Sequence, residues 1–344
     1  MTEPTLASLG WSESLARQAG PDDTPARVAA VQRDRLSLLG AGGGLSLPVH
    51  GSTGAFAVGD WVLHDGTRVT RRLTPRTEIA RRVAGTTSDR QLIAANVDTL
   101  GIVTSCNADF NLARLERYLA IALSAGCLPL VILTKADLCA DPAPYLRQAQ
   151  RLSPLVTALA LNAMDGDDIA RLTPWAGPGQ TLALVGSSGV GKTTLRNALT
   201  GESAVTQGIR EDDARGRHTT TYRALVPTLA GGCLIDTPGM RELRLTEAAD
   251  GIEAAFDDIA TFARGCRFHD CAHDSEPGCA VQAAIADGRL DPARLTRLRK
   301  LEREDRHQTE ALHERHARFR AFARRAAQGR ARSEAKRHIP DDAG

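Results

Sequence analysis

Gly186-Ser187-Ser188-Gly189-Val190-Gly191-Lys192-Thr193-Thr194 follows the phosphate-loop pattern G-x-x-x-x-G-K-[ST]. The apolar run Leu182–Val185 leads in, and the helix-like run Leu195–Leu199 leads out. That order is what the chemistry requires. A buried strand delivers the loop, glycines let backbone N–H groups converge on phosphate oxygens, and the following helix adds the positive end of its dipole. The whole run is therefore expected to line a nucleotide phosphate site inside an α/β core. Lys192 would reach the β- and γ-phosphates, and Thr193 would hold Mg²⁺.

The base is read elsewhere. Thr134-Lys135-Ala136-Asp137 follows the apolar run Leu130–Leu133 and comes close to the N-K-x-D pattern that reads guanine. A carboxylate at Asp137 accepts from the ring N–H and exocyclic amine of guanine, whereas adenine offers no matching donor pair. GTP is thus expected over ATP. Thr134 departs from the usual Asn and shortens a side chain that normally ties loops together. Asp236-Thr237-Pro238-Gly239 follows the strand-like Cys233–Ile235. In phosphate-loop GTPases an Asp at such a strand end orients the Mg²⁺ shell, and the Gly N–H senses the γ-phosphate. Between these motifs lies Gly216-Arg217-His218-Thr219-Thr220-Thr221. One of its threonines is expected to close on Mg²⁺ and the γ-phosphate, and Thr220 is our choice. The base-reading motif precedes the phosphate loop here, the reverse of the ordinary order, so the domain reads as circularly permuted, which domain termini lying close together permit.

Cys266, Cys271, His273 and Cys279 form a C-x4-C-x-H-x5-C set. Three thiolates and one imidazole make a closed tetrahedral Zn²⁺ site of the structural kind. His269 competes as the nitrogen ligand but is less well spaced from Cys271. Cys106, Cys127, Cys139 and Cys233 lie in apolar or strand contexts and read as buried thiols of a reducing compartment.

With these motifs, and with Val58-Gly59-Asp60-Trp61-Val62 and Asn96-Val97-Asp98, the chain resembles the bacterial ribosome small subunit-dependent GTPase A family of circularly permuted GTPases. The resemblance spans roughly residues 25–310. It implies a multi-domain protein: an N-terminal OB-fold β-barrel, a permuted α/β GTPase domain and a mainly α zinc domain. It implies GTP hydrolysis stimulated by the small ribosomal subunit, rRNA contact, and a role in that subunit's late maturation. Leu161-Asn162-Ala163 stands where the family usually has Ser-Ala, so the Ala163 N–H is expected at the guanine carbonyl oxygen, a backbone role that survives Asn162.

The expected division is an N-terminal segment 1–24, a barrel 25–75, the GTPase domain 76–245, a zinc domain 246–312 and a basic tail 313–344. The runs Ala26–Val31, Arg35–Leu39, Leu45–Val49, Val58–Leu63 and Thr67–Arg72 are short, strand-like and punctuated by glycine, as suits a small barrel. Trp61 reads as core. Arg68, Arg71, Arg72, Arg76, Arg81 and Arg82 either grip phosphates or form a solvated surface and domain junction. Leu295, Leu298 and Leu301 are spaced for one helix face.

Net charge is only +2 over 344 residues, but residues 313–338 hold nine Lys/Arg against two Glu, which suits RNA contact or a solubilising terminus. No apolar run reaches the roughly 18 residues of a membrane span. A cytoplasmic monomer without membrane partners is expected.

Met240 stands where a water-positioning Gln commonly follows the third motif, and Met cannot orient water. Slow intrinsic turnover follows, with His218 either completing the site or merely packing a loop. The expected catalytic set is Lys192, Thr220 and His218. Two other readings compete, a phosphate-loop kinase or ATPase and an RNA-binding module with a largely non-hydrolytic GTP site.

Overall fold

The computed structural model describes residues 4–82, 90–202, 224–236, 248–307 and 309. After a short helix α1 (Glu13–Ala16) come five strands: β1 (Thr24–Val31), β2 (Arg35–Gly40), β3 (Gly43–Pro48), β4 (Trp61–His64) and β5 (Val69–Arg72), with burial alternating along β2. They pair antiparallel in the order β3-β2-β1-β4-β5. A parallel bridge between Val49, just past β3, and Val69 of β5 brings the two edge strands together. The sheet thereby closes into the small barrel that the glycine-punctuated runs predict, around Val28, Leu36, Leu38, Leu47, Val62 and Val69.

A hairpin, β6 (Glu78–Arg82) with β7 (Arg90–Ala95), leads into a six-stranded sheet. Its strands are β8 (Thr99–Ser105), β9 (Leu128–Thr134), β10 (Thr157–Ala160), β11 (Thr181–Gly186), β12 (Ala224–Pro227) and β13 (Cys233–Asp236), in the order β10-β9-β8-β11-β13-β12. Every pairing is parallel except β12 with β13. Strands buried on both faces need apolar residues at successive positions, and β8 and β11 are buried along their whole length. Their side chains alternate between two cores. Val131, Leu133, Ala183 and Val185 pack on one side. Leu130, Ile132, Leu182 and Leu184 pack on the other, with Leu195 and Leu199.

The covering helices are α2 (Leu112–Ser124), α3 (Ala143–Gln150), the short α4 (Gly166–Ala170) and α5 (Thr173–Ala176), and α6 (Lys192–Thr200). Four more follow: α7 (Ala249–Ala255), α8 (Asp257–Ala263), α9 (Ala280–Ala286) and α10, residues 292–307. On α10, Leu295 and Leu301 are buried and Leu298 is partly so, as their spacing predicts.

Two buried arginines hold these parts to one another. Arg27 of β1 is 1% exposed, and its guanidinium donates to the carbonyls of Leu9, Gly59 (3.3 Å) and Asn96 (2.9 Å), one from each of three chain segments. Burial pulls its pKa down from the usual arginine value. Arg294 of α10 bonds Glu116 of α2 at 2.9 Å, Asp258 of α8 at 2.6 and 2.8 Å, and the carbonyls of Leu152 and Ala255. Gly251 lets α7 approach α2 closely, since a Cβ there would sit 2.3 Å from the Ala120 carbonyl oxygen.

Trp61 is fully buried, edge-on to Trp11 at 4.8 Å, and is core. The neighbouring arginines each have a protein partner. Arg72 chelates Asp60 at 2.7 and 2.8 Å and reaches Glu78 at 2.8 Å. Arg76 pairs with Asp98 at 2.6 Å, Arg71 with Gln18 and Asp23, Arg68 with Asp65, and Arg81 with Gln91. These five have protein partners at the junction, and the side chain of Arg82 lies outside the described residues. Cys106, Cys127 and Cys233 are buried free thiols, but Cys139 is only half-buried because it ends the surface turn after β9.

Asn96-Val97-Asp98 is the hinge of the junction. Asn96 has a left-handed backbone (φ 52°) and donates to the Gly59 carbonyl at 3.0 Å. Asp98 accepts from the Thr181 N–H at 2.8 Å, fixing the start of β8 against β11. Gly59 has φ +89°, and a Cβ there would lie 2.2 Å from the Ala95 carbonyl oxygen. Gly59→Ala is therefore expected to destabilise the protein by at least about 3 kcal/mol, combining left-handed strain with a backbone clash, which a lowered urea midpoint would register.

Candidate functional site

The phosphate loop leaves β11 at Gly186, whose φ is +145° and whose Cβ position would lie 2.2 Å from the Val103 carbonyl oxygen. Only glycine fits. Gly189 (φ 79°) and Gly191 (φ 91°) turn the chain through left-handed conformations that a side chain would strain, and Val190 between them is buried as the loop's anchor. Helix α6 begins at Lys192, so its first N–H groups face the loop concavity. Lys192 is 7% exposed, and its ammonium donates to the carbonyls of Gly186 (2.8 Å) and Ser187. Thr193 lies in the same first turn. The strand, loop and helix are those the sequence predicts.

The base-reading loop is bound directly to the phosphate loop. Thr134 ends β9, and its hydroxyl oxygen lies 2.6 Å from the Val190 carbonyl and 3.0 Å from that of Thr104. The shorter side chain still ties the loops, because the backbone at Val190 comes within hydrogen-bond distance of the hydroxyl. Lys135, left-handed at φ 58°, extends its ammonium to the Gly189 carbonyl at 2.9 Å. Asp137 is exposed in the turn Ala136–Leu138, and its carboxylate pairs with no described residue.

Beside it, Leu161 bonds back to β9, with its N–H on the Leu133 carbonyl at 2.9 Å. Asn162 donates its N–H to Asp168 at 2.8 Å and accepts the Met164 N–H at 2.9 Å. These bonds shape a turn in which the buried Ala163 keeps an N–H that donates to no described residue. The Asn162 N–H holds the Asp168 carboxyl below the usual carboxylate range. Sequence reading missed Asp168, although Asp165 capping α4 three residues earlier was a legible sign of a structured turn.

Asp236, the last residue of β13, stands 3.8 Å from Arg196 of α6. The remaining expected groups, Thr237–Gly239, Met240 and Gly216–Thr221 with His218 and Thr220, lie outside the described residues, as does the tail 313–344.

Cys266, Cys271, His273 and Cys279 converge, with all four donor atoms within 4.8 Å of one another. The Cys266 sulfur lies 3.9 Å from that of Cys279 and 3.6 Å from the His273 Nδ1, which is 3.5 Å from the Cys279 sulfur. A tetrahedron with metal–sulfur bonds of about 2.3 Å has edges of about 3.8 Å, so the donors fit a tetrahedral metal. His273 turns inward through a left-handed backbone (φ 60°) and is held by Gln282, which donates to its carbonyl. Glu276 accepts the N–H groups of Ala272 and Asp274, both at 2.8 Å, and so shapes the knuckle. His269 is 97% exposed and does not belong to this group of donors, whose one nitrogen is that of His273.

The family model described as RsgA GTPase matches residues 73–246. The small ribosomal subunit biogenesis GTPase RsgA of Mesorhizobium japonicum is 51% identical over 319 residues, covering 90% of this chain and 92% of that one. The small ribosomal subunit biogenesis GTPase RsgA 2 of Vibrio parahaemolyticus is 45% identical over 329 residues, covering 94% and 92%. Among solved structures, YjeQ from Thermotoga maritima superposes with a TM-score of 0.60 at 22% identity, covering 81% of this chain and 97% of that one. YloQ, described as a circularly permuted GTPase, gives 0.60 at 20% identity, covering 84% and 97%.

Thr134→Val keeps the shape and removes the hydroxyl, whose one proton serves the buried Val190 carbonyl at the shorter distance. A loss of about 1–2 kcal/mol is expected in equilibrium denaturation.

Proposed function

The chain belongs to the RsgA GTPase family, and from that membership we propose that it hydrolyses GTP as an assembly factor of the small ribosomal subunit, stimulated by that subunit and touching its rRNA. The observation that carries the reading is the joining of Thr134 and Lys135 to the carbonyls of Val190 and Gly189. One ligand with a base at one end and phosphates at the other fits across the two loops. Asp137 and the Ala163 N–H then face the guanine edge, while Asn162 shapes their turn. Lys192 moves from the loop carbonyls to phosphate oxygens, a stronger charge-assisted bond. Ser187, Ser188 and the loop glycines offer backbone donors.

Thr193, Thr220 and Asp236 would hold Mg²⁺, which supplies charge neutralisation between the phosphates. Gly239 would sense the γ-phosphate. Met240 leaves the attacking water without a side-chain acceptor, and His218 would position it once the subunit orders residues 216–221. This suffices for largely dissociative phosphoryl transfer, which needs positioning more than a general base. The four donors at Cys266, Cys271, His273 and Cys279 would hold one structural Zn²⁺, a closed set with no position for a substrate. We place the protein in the cytoplasm as a monomer; no described helix is long and apolar enough to cross a membrane.

GTP turnover measured alone, with small subunits and with large subunits tests the whole. Strong stimulation by small subunits only is expected, and equal rates in all three would refute it. Within that assay Lys192→Ala should abolish turnover, and Asp137→Asn should weaken GTP binding by about 1.5–3 kcal/mol, the range for a bond to a charged group.

Purified protein should carry one zinc per chain, and Cys271→Ser should lose most of it along with cooperative unfolding of the C-terminal helices. Full zinc in the variant would contradict the assignment.

A further inference from the structure

A cleft of about 240 Å³ separates α2 from α10, and its lining includes Arg114, Arg117, Arg297 and Lys300 against one carboxylate, Glu304. Two of the four cations are compensated in place. Arg117 holds Glu304 through two bonds of 2.7 and 2.6 Å. Arg297 holds Glu116 at 2.7 Å and lies 3.9 Å from Asp291. The other two have no carboxylate among the described residues. Lys300 is exposed without a described partner, and the half-buried Arg114 meets only the neutral hydroxyl of Ser187. Uncompensated cations on the walls of a concavity focus a positive potential into it, and the natural occupant is an anion.

Arg114 also belongs to a second structure. Its guanidinium donates to the Ser187 Oγ, and the carbonyl of that same Ser187 accepts from the Lys192 ammonium. Ser187 thus links the cleft to Lys192, its hydroxyl bonded on one side and its carbonyl on the other. We propose that the cleft binds a phosphate group of an RNA strand and that Arg114 relays its occupancy to the phosphate loop. A phosphate oxygen forms a charge-assisted bond to a guanidinium that outweighs a bond from a hydroxyl, so an anion in the cleft draws Arg114 away from Ser187. RNA is the source favoured here because α10 runs on in sequence toward residues 313–338, with nine Lys/Arg against two Glu, a charge run that suits a polyanion rather than a single ion. The relay rests on the GTP reading of the phosphate loop; the cleft itself does not.

The full chain is titrated with a fluorescent single-stranded oligouridylate, without nucleotide, over a range of salt concentrations. Lys300→Gln is expected to weaken binding several-fold and to flatten the slope of log affinity against log salt by about 0.7, the value for one lost phosphate contact on a single strand. Affinity and slope equal to the parent in both Lys300→Gln and Arg114→Gln would remove RNA from the cleft. Inorganic phosphate displacing the oligonucleotide at equal phosphate concentration would reassign the site to a free anion. In the second arm, GDP, with its binding confirmed separately, should change the RNA affinity at least about fivefold, the lower range for coupled sites. Arg114→Gln should abolish that dependence while Lys300→Gln retains it. A GDP effect that persists in Arg114→Gln would overturn the relay and leave the anion site standing.

Discussion

The architecture depends on a buried positive charge that bonds to no carboxylate among the described residues. Arg27 is buried among main-chain carbonyls from the N-terminal segment, the barrel and the strand leading into the large sheet. An arginine cannot shed its proton to escape such a place, so every carbonyl it meets must stay where it is. The penalty for leaving a buried charge or carbonyl unpaired is a few kcal/mol, comparable to a large share of the stability of a whole domain. The constraint therefore fixes the angle at which the barrel meets the sheet. It also fixes where β8 begins, since Asn96 and Asp98 belong to the same junction. Because β8 pairs with both β9 and β11, its position sets the distance between the two ligand loops.

Arg294 does comparable work at the other end but by different means. It is surrounded by carboxylates as well as carbonyls, and it joins α2, α8 and α10 through Glu116 and Asp258. Helix α2 thus carries Glu116 toward the C-terminal helices while its first turn carries Arg114 to the phosphate loop. Arg114 and Glu116 stand only two residues apart, so one short stretch of helix touches both the phosphate loop and the C-terminal helices.

The site was legible in the sequence where chemistry dictates spacing. Phosphate loops need glycine at particular backbone angles, and tetrahedral metal sets need soft donors a few residues apart, so Gly186–Thr194 and Cys266–Cys279 announced themselves. The barrel was legible because apolar alternation and glycine turns repeat five times. The two arginine joints were not, since Arg27 sits in an otherwise ordinary strand and Arg294 in an ordinary helix, and nothing local reports that either is buried. The β6–β7 hairpin was hidden for a related reason: read alone, its arginines look like a surface. Thr134 appeared to be a weakened tie, and only its 2.6 Å bond to the Val190 carbonyl reveals that a shorter side chain suffices.

The strand order carries a consequence for how the chain reaches its native state. In the sequence β8, β9 and β10 come first and β11, β12 and β13 later, and each trio is also contiguous in space, meeting only along the β8–β11 edge. Each trio can pair before the other exists, because all of its partners lie within its own stretch of chain. The base-reading loop belongs to the first trio and the phosphate loop to the second. Closing the seam is therefore what creates the nucleotide site, and a nucleotide bound across it adds its own binding energy to that last closure by mass action. During synthesis, the ability to hold the ligand marks a chain whose two strand trios have docked.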